Sequence, residues 1–191
     1  IANDPAMIRA FNENADIHTE TASQVFGIPK EMLPPELRSR AKAINFGIVY
    51  GIGAFSLSKQ IGVTVREAKA YIDAYLKTYH GVADYQKRVV EQAKTDGYVQ
   101  TIYKRRRELP EIHSTNHNLR AFAERVAMNM PVQGTAADLI KIAMIRVHHR
   151  IREELPDARV ILQVHDELIV EAPTMMADRA AQIVKEEMEH A

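Results

Sequence analysis

The sequence has 191 residues, enough for one domain or for parts of two. Hydrophobic residues make up 46% and the formal net charge is zero, so a packed core is within reach, wholesale disorder is excluded, and attraction to a polyanion must come from local placement of cations. The absence of cysteine rules out disulfides and thiolate metal sites and suits a reducing compartment; no apolar run reaches the roughly 18 residues of a membrane-spanning helix.

In chain order, residues 4–27 read as two short helices, the second capped by Asp16 and stopped by Gly27 ahead of Pro29. The start "IANDPAMIRAFNEN" lacks the apolar core of a signal peptide and has no initiator methionine, and the end "KEEMEHA" carries no cap, so a fragment is expected. Pro34 and Pro35 open a helix near Glu36 that runs to about Gly51. Thr64 and Glu67 form a capping box for the next helix, which Gly81 is expected to stop, and a further helix ends at Gly97. "YVQTIYKRRRELPEI" alternates like a short strand pair. A long helix follows, expected to break at Pro131, and another runs from about Thr135 to Glu154. "RVILQVHDELIVEAP" is the one convincing β segment, a hairpin, and a last amphipathic helix carries Ile183, Val184 and Met188.

The stretch "RSRAKAINFGIVYG" raises a chemical question. At about 100° per residue, Arg38, Lys42, Phe46 and Tyr50 share an arc of about 120°, while Ala41, Ile44, Ile48 and Ile52 share another, centred more than roughly 100° away. The apolar arc packs. The other offers cations at one end and rings at the other, an order that suits a nucleoside triphosphate with its phosphates on Arg38 and Lys42. Gly47 and Gly51, each costing roughly 1 kcal/mol against alanine inside a helix, would clear the surface beside Tyr50 for a base or a neighbouring strand. Spacing alone fits a surface helix with snorkelling cations as well. No glycine-rich phosphate loop is present, so any phosphate here is held by side chains.

Two further stretches bear on the chemistry. "LQVHDELIVE" sets Asp166 and Glu167 at a tight turn where Asn-Gly or Asp-Gly would be usual. A rigid carboxylate there is a good Mg²⁺ ligand, though a solvated acidic turn reads the same way and two-metal chemistry needs another carboxylate. From Tyr85 to Arg107 there are seven Lys or Arg against two acids, with Tyr98 and Tyr103 interleaved, a surface able to track phosphates or simply a solvated face. His113 and His117 have the spacing of a metal pair but lack the glutamate of a zincin, and His148 with His149 reads as an exposed pair.

"RSRAKAINFGIVYG", "ERVAMNMPVQGTAAD" and "QVHDELIVE", in that order, closely resemble the polymerase domain of family A DNA polymerases, the bacterial DNA polymerase I type. "DIHTETASQVFG" resembles the family's segment ahead of the fingers helix, so the resemblance covers nearly the whole chain. It implies an α+β, predominantly helical fold: fingers helices plus part of a polymerase palm with one antiparallel hairpin, truncated at both ends. Residues 1–114 would form the fingers with their palm-side lead-in, and 115–191 a partial palm. It implies template-directed DNA synthesis with Mg²⁺ (two ions in the intact enzyme, Mn²⁺ as a substitute), primer–template DNA and dNTP as partners, a monomer, and a bacterial cytoplasmic location.

Carried over residue by residue, the resemblance makes Arg38, Lys42, Phe46, Tyr50 and His18 dNTP contacts, with Lys42 also a general acid for the leaving pyrophosphate. Arg105, Arg106, Arg120, Arg125, Asn129, Gln133 and His165 become DNA contacts, Gln133 reading minor-groove acceptors common to all correct pairs. Asp166 becomes the metal ligand and Glu167 its acidic neighbour. The chain departs from the family at Lys104 and Ser56, where glycines are usual. The family's other metal-binding aspartate falls before Ile1, so the 191 residues alone are expected not to polymerise. Two other readings are a non-catalytic nucleic-acid-binding module using the basic 85–107 surface and a metal-dependent phosphohydrolase centred on Asp166 and Glu167.

Overall fold

The computed structural model describes residues 1–191. The helices are α1 (Pro5–Asn12), α2 (Ile17–Phe26), α3 (Pro35–Val49), α4 (Ala54–Ile61), α5 (Val65–Thr78), α6 (His80–Asp96), α7 (His117–Glu154) and α8 (Ala177–Glu189). Strands β1 (Tyr98–Gln100) and β2 (Arg106–Glu108) form one two-stranded sheet, and β3 (Arg159–Val164) and β4 (Glu167–Glu171) the other. The expected predominantly helical α+β class holds, and the strand pair around the basic cluster forms. By compactness the chain divides into residues 1–99 with 107–129, and residues 100–106 with 130–191.

Local chemistry sets most helix ends of the first unit. Asp4 and Asp16 cap α1 and α2 through side-chain oxygens. Thr64 and Glu67 complete the capping box of α5. Gly27, Gly62 and Gly97 stop their helices in the left-handed conformation that glycine adopts without a Cβ penalty. Helix α4, which the sequence reading did not assign, lies between Gly53 and Gly62. Ile44 and Ile48 of α3, Leu57 and Ile61 of α4, and Ala68 and Tyr75 of α5 join Tyr79 and Val82 in one core. The rings of Tyr75 and Tyr79 lie 4.8 Å apart. The Tyr75 hydroxyl is buried without a hydrogen-bond partner, and burial pushes its pKa up.

Two expectations are corrected. Gly81 does not end α5: the helix stops at Thr78, and Gly81 lies inside the first turn of α6. Its N–H donates to Asp4 Oδ2 at 2.8 Å, and a Cβ there would stand 2.8 Å from Asp4 Cα. The glycine marks a close approach between chain segments. Pro131 does not break α7, which runs unbroken from His117 to Glu154. Proline inside a helix removes one ladder bond and costs about 3 kcal/mol. Here Ala123 and Ala127 before it, and Ile140, Ala143 and Val147 after it, are buried, so packing holds both halves helical. Met128 O, one residue past the Ala127 carbonyl that loses its ladder donor to Pro131, accepts from the Tyr85 hydroxyl at 2.9 Å.

In the second unit, β3 and β4 pair antiparallel with Val164 opposite Glu167 and an irregularity between Val160 and Leu162. Val160, Leu168 and Val170 pack with Val147 and Ile151 of α7 and Ile183 of α8. Leu162, Val164 and Ile169 are exposed. In β4 alternation produces this split, since successive side chains take opposite faces. In β3 the irregularity between Val160 and Leu162 is what separates inward Val160 from exposed Leu162 and Val164, which share its parity.

Candidate functional sites

Helix α3 folds as its two arcs require. Ala41, Ile44 and Ile48 are buried, whereas Phe46 and Tyr50 are 47% and 44% exposed, and Arg38 and Lys42 are exposed. The Phe46 and Tyr50 rings stack at 6.4 Å and 17°, and Lys42 Nζ lies 6.0 Å from the Phe46 centroid. Lys42, Phe46 and Tyr50 therefore form one continuous open surface, ammonium at one end and phenol at the other, with Arg38 exposed one turn before Lys42.

The glycines have an origin within the chain, independent of any room they leave for a base. Ile52 N–H bonds to Gly47 O at 2.8 Å and Gly51 N–H to Ile48 O at 2.9 Å, the paired bonds of a Schellman stop. Gly51 supplies its left-handed residue, with φ of 73°. A Cβ on Gly47 would stand 2.8 Å from Ile52 Cγ2, and one on Gly51 would stand 2.5 Å from Met128 Cε and 3.3 Å from Arg125 Cγ. The same junction brings Asn129 Nδ2 to 3.5 Å from Tyr50 O. Tyr50, Arg125 and Asn129 thus gather at the end of α3.

Asp16 links α2 to the cationic end of α3. It caps α2 through His18 N–H and accepts from Arg38 Nε at 2.6 Å. That guanidinium, more than the capping bonds, holds the Asp16 carboxyl down at about 2. Only one Arg38 donor is engaged, so its terminal amino groups remain for an anion.

His18 is oriented by a buried chain of polar groups that the sequence reading missed. Thr21 Oγ1 donates to Asn45 Oδ1 at 3.0 Å, which turns Asn45 Nδ2 toward His18 Nδ1 at 2.9 Å. The Tyr79 hydroxyl, 3.4 Å from Thr21 Oγ1, then supplies the remaining donor. An amide nitrogen can only donate, so Nδ1 accepts and the imidazole proton sits on Nε2. Burial lowers the His18 pKa, opposed by Asp16 and reinforced by Arg38 and Lys42, and so favours the neutral ring. His18 stands 5.9 Å from the Phe46 ring. The signal for Asn45 was its place as an amide at the edge of an apolar arc.

In the second unit, His165 and Asp166 form the turn between β3 and β4, and His165, Asp166 and Glu167 are exposed. His165 has φ of 53°. Glycine is usual at that first turn position, so histidine there carries strain. No group of three His, Asp or Glu gathers anywhere in the chain, His113 and His117 included. Asp166 and Glu167 alone do not complete a site for Mg²⁺, which wants six oxygens in near-octahedral order. Arg105 gives its Nε to Asp138, and Arg106 lies in β2. Gln133 is exposed on α7. In the first unit, Arg120 donates to Ser114 O at 2.8 Å and so braces the loop before α7.

The chain is mostly helical, with a cation-and-ring stripe on one helix and an acidic turn on a β-hairpin. The chain belongs to DNA polymerase family A, whose family model matches residues 1–191. It is 49% identical over 191 residues to DNA polymerase I of Bacillus subtilis and 47% identical over 191 to that of Caldicellulosiruptor bescii, covering 100% of this chain and 22% of each relative. The thermostable DNA polymerase I of Thermus aquaticus is 44% identical over 189 residues, again 22% of its length. The chain thus spans about a fifth of these relatives. Among solved structures it is similar to the POL domain of Pol1 from M. smegmatis in complex with DNA primer-template and dNTP, with TM-score 0.89 and 43% identity over 98% of this chain and 33% of that one.

Proposed function

We propose that this chain is the fingers and partial palm of an enzyme that extends a DNA primer on a template, with residues 1–114 as fingers and 115–191 as palm. The observation that carries the reading is the open face of α3. Arg38, Lys42, Phe46 and Tyr50 stay out of the core in an order that suits phosphates, sugar and base, while the opposite face of the same helix is fully packed.

On this reading the terminal amino groups of Arg38 and the ammonium of Lys42 grip the triphosphate tail, and the neutral His18 donates from Nε2 to a phosphate oxygen. Phe46 and Tyr50 present stacked rings to the sugar and base. Lys42 has a proton to give to the departing pyrophosphate as the primer 3′-hydroxyl displaces it from the α-phosphorus. Arg125 and Asn129, held at the end of α3, together with Gln133, Arg105, Arg106, Arg120 and His165, contact primer and template. Asp166 and Glu167 contribute carboxylates only, and metal chemistry would need ligands beyond this chain's own set.

The test is nucleotide dependence in the full-length enzyme. Lys42→Ala is expected to raise the dNTP KM and lower kcat with little change in primer–template affinity. Arg106→Ala is expected to weaken DNA binding and leave the dNTP KM near its starting value. A non-catalytic DNA-binding module would show the second effect and no dNTP dependence at all. Hydrolysis of dNTP without primer would instead favour a phosphohydrolase. The 191 residues alone are expected not to extend a primer.

A further inference from the structure

One turn of α7 grips the tip of the β1–β2 hairpin through contacts that the reading above leaves unused. Thr101, buried, donates from Oγ1 to Asp138 Oδ2 at 2.7 Å, and Ile102 N–H donates to Thr135 Oγ1 at 3.2 Å. Gly134 admits Thr101, because a Cβ there would stand 2.7 Å from Thr101 Cγ2. Asp138 is 4% exposed, and its other oxygen accepts from Arg105 Nε at 2.5 Å. Lys104, at the turn, has φ of 67°. A charged hairpin tip left to itself would be mobile. This one is fastened at Thr101, Ile102 and Arg105.

Beside the grip lies an open cleft of about 490 Å³, lined in part by Tyr103, Lys104, Arg105, Asp138 and Lys141. Three cations face one carboxylate, which leaves two positive charges unbalanced. Asp138 already accepts from Thr101 and Arg105, and neither Lys104 nor Lys141 makes an ion pair. The Arg105 side chain remains 58% exposed with its terminal amino groups unused.

We propose that this cleft binds a phosphate of a nucleic-acid backbone, with Lys104, Arg105 and Lys141 as contacts and Asp138 as the residue that positions Arg105. The proposal rests on the polymerase reading, which already sets Arg105 at the DNA, and deepens it by adding Lys104 and Lys141 as contacts and Asp138 as the positioning residue. A guanidinium fixed through Nε presents its two amino groups as a fork that matches two phosphate oxygens. Lysines add charge without reading bases, so the site favours nucleic acid irrespective of sequence. Tyr103, 43% exposed, offers a ring beside the phosphate.

The experiment is anisotropy of a labelled primer–template duplex with the full-length enzyme across a series of KCl concentrations. Lys141→Gln, an exposed change that leaves folding alone, should weaken binding several-fold and reduce the salt slope by about one. Asp138→Asn keeps an acceptor for Thr101 but loses the charge that orients Arg105. It should weaken binding and lower the salt slope by up to about one, although the protein becomes more positive by one charge, because the oriented Arg105 contact is lost. An Asp138 with no part in the site would leave affinity unmoved or raise it through the added positive charge. Unchanged affinity and slope in Lys141→Gln would overturn the cleft. If the unmodified enzyme bound duplex with no salt dependence, the polymerase reading would fall with it. If Lys42→Ala still raised the dNTP KM while Lys141→Gln bound normally, only the cleft would fall.

Discussion

Gly51→Ala tests the junction at the end of α3 most directly. The native φ of 73° is comfortable for glycine alone, and an L residue there costs about 1–2 kcal/mol. The new methyl would also stand 2.5 Å from Met128 Cε, the free end of a flexible side chain, so the added crowding lies at the low end of the overpacking range, about 1 kcal/mol. Alanine stiffens the unfolded chain and returns about 0.5 kcal/mol. The net expectation is a loss of about 2 kcal/mol, read by urea unfolding as a lower midpoint at unchanged slope. The two contributions separate in a double-mutant cycle. In a Met128→Ala background the steric part vanishes while the backbone part stays, so Gly51→Ala should cost about 1 kcal/mol less there. In the full-length enzyme the same change displaces Tyr50, and the dNTP KM should rise. A Gly51→Ala protein within about 0.5 kcal/mol of the parent would refute the Schellman account of this junction, and a cycle with no coupling would refute the crowding against Met128.

Tyr75→Phe should leave stability unchanged or raise it by about 1 kcal/mol, because it removes a buried hydroxyl without a partner; a clear loss in urea unfolding would refute this. Tyr85→Phe should cost about 1 kcal/mol by removing the hydroxyl's bond to Met128 O beside Pro131, with faster amide exchange in that part of α7 as the readout. His165→Gly trades left-handed strain for chain entropy and should raise stability by up to about 1 kcal/mol. If His165 contacts the primer end, extension should slow in the same variant. The Asp16–Arg38 pair has a depressed carboxyl, so its contribution is complete above pH 4 and is lost as pH falls toward 2. The shift from 3.8 to about 2 corresponds to roughly 2.5 kcal/mol. Solvent screening of a pair with side chains 50% and 39% exposed brings that to below about 1 kcal/mol. Arg38→Ala should flatten the acid limb of a stability–pH profile by this amount, and an unchanged limb would show that the pair contributes nothing.

What the sequence alone determined was whatever depends on residues within a turn or two of one another. Asp16 as a cap, the Thr64–Glu67 box, the stops at Gly27 and Gly97 and the two arcs of α3 all follow from i to i+4 geometry, and the hairpin at His165–Asp166 follows from strand alternation. Tertiary structure decided the rest. It carried α7 through Pro131, turned Gly81 from a stop into a contact with Asp4 77 positions away, and set Gly51 against Met128. It also paired Thr21 with Asn45, and Arg105 with Asp138, across 24 and 33 residues. A local pattern fixes how a short segment coils, because its bonds close within the segment. Which surfaces then meet depends on how distant segments share one core, and only there does a buried amide or carboxylate find the partner that explains its presence.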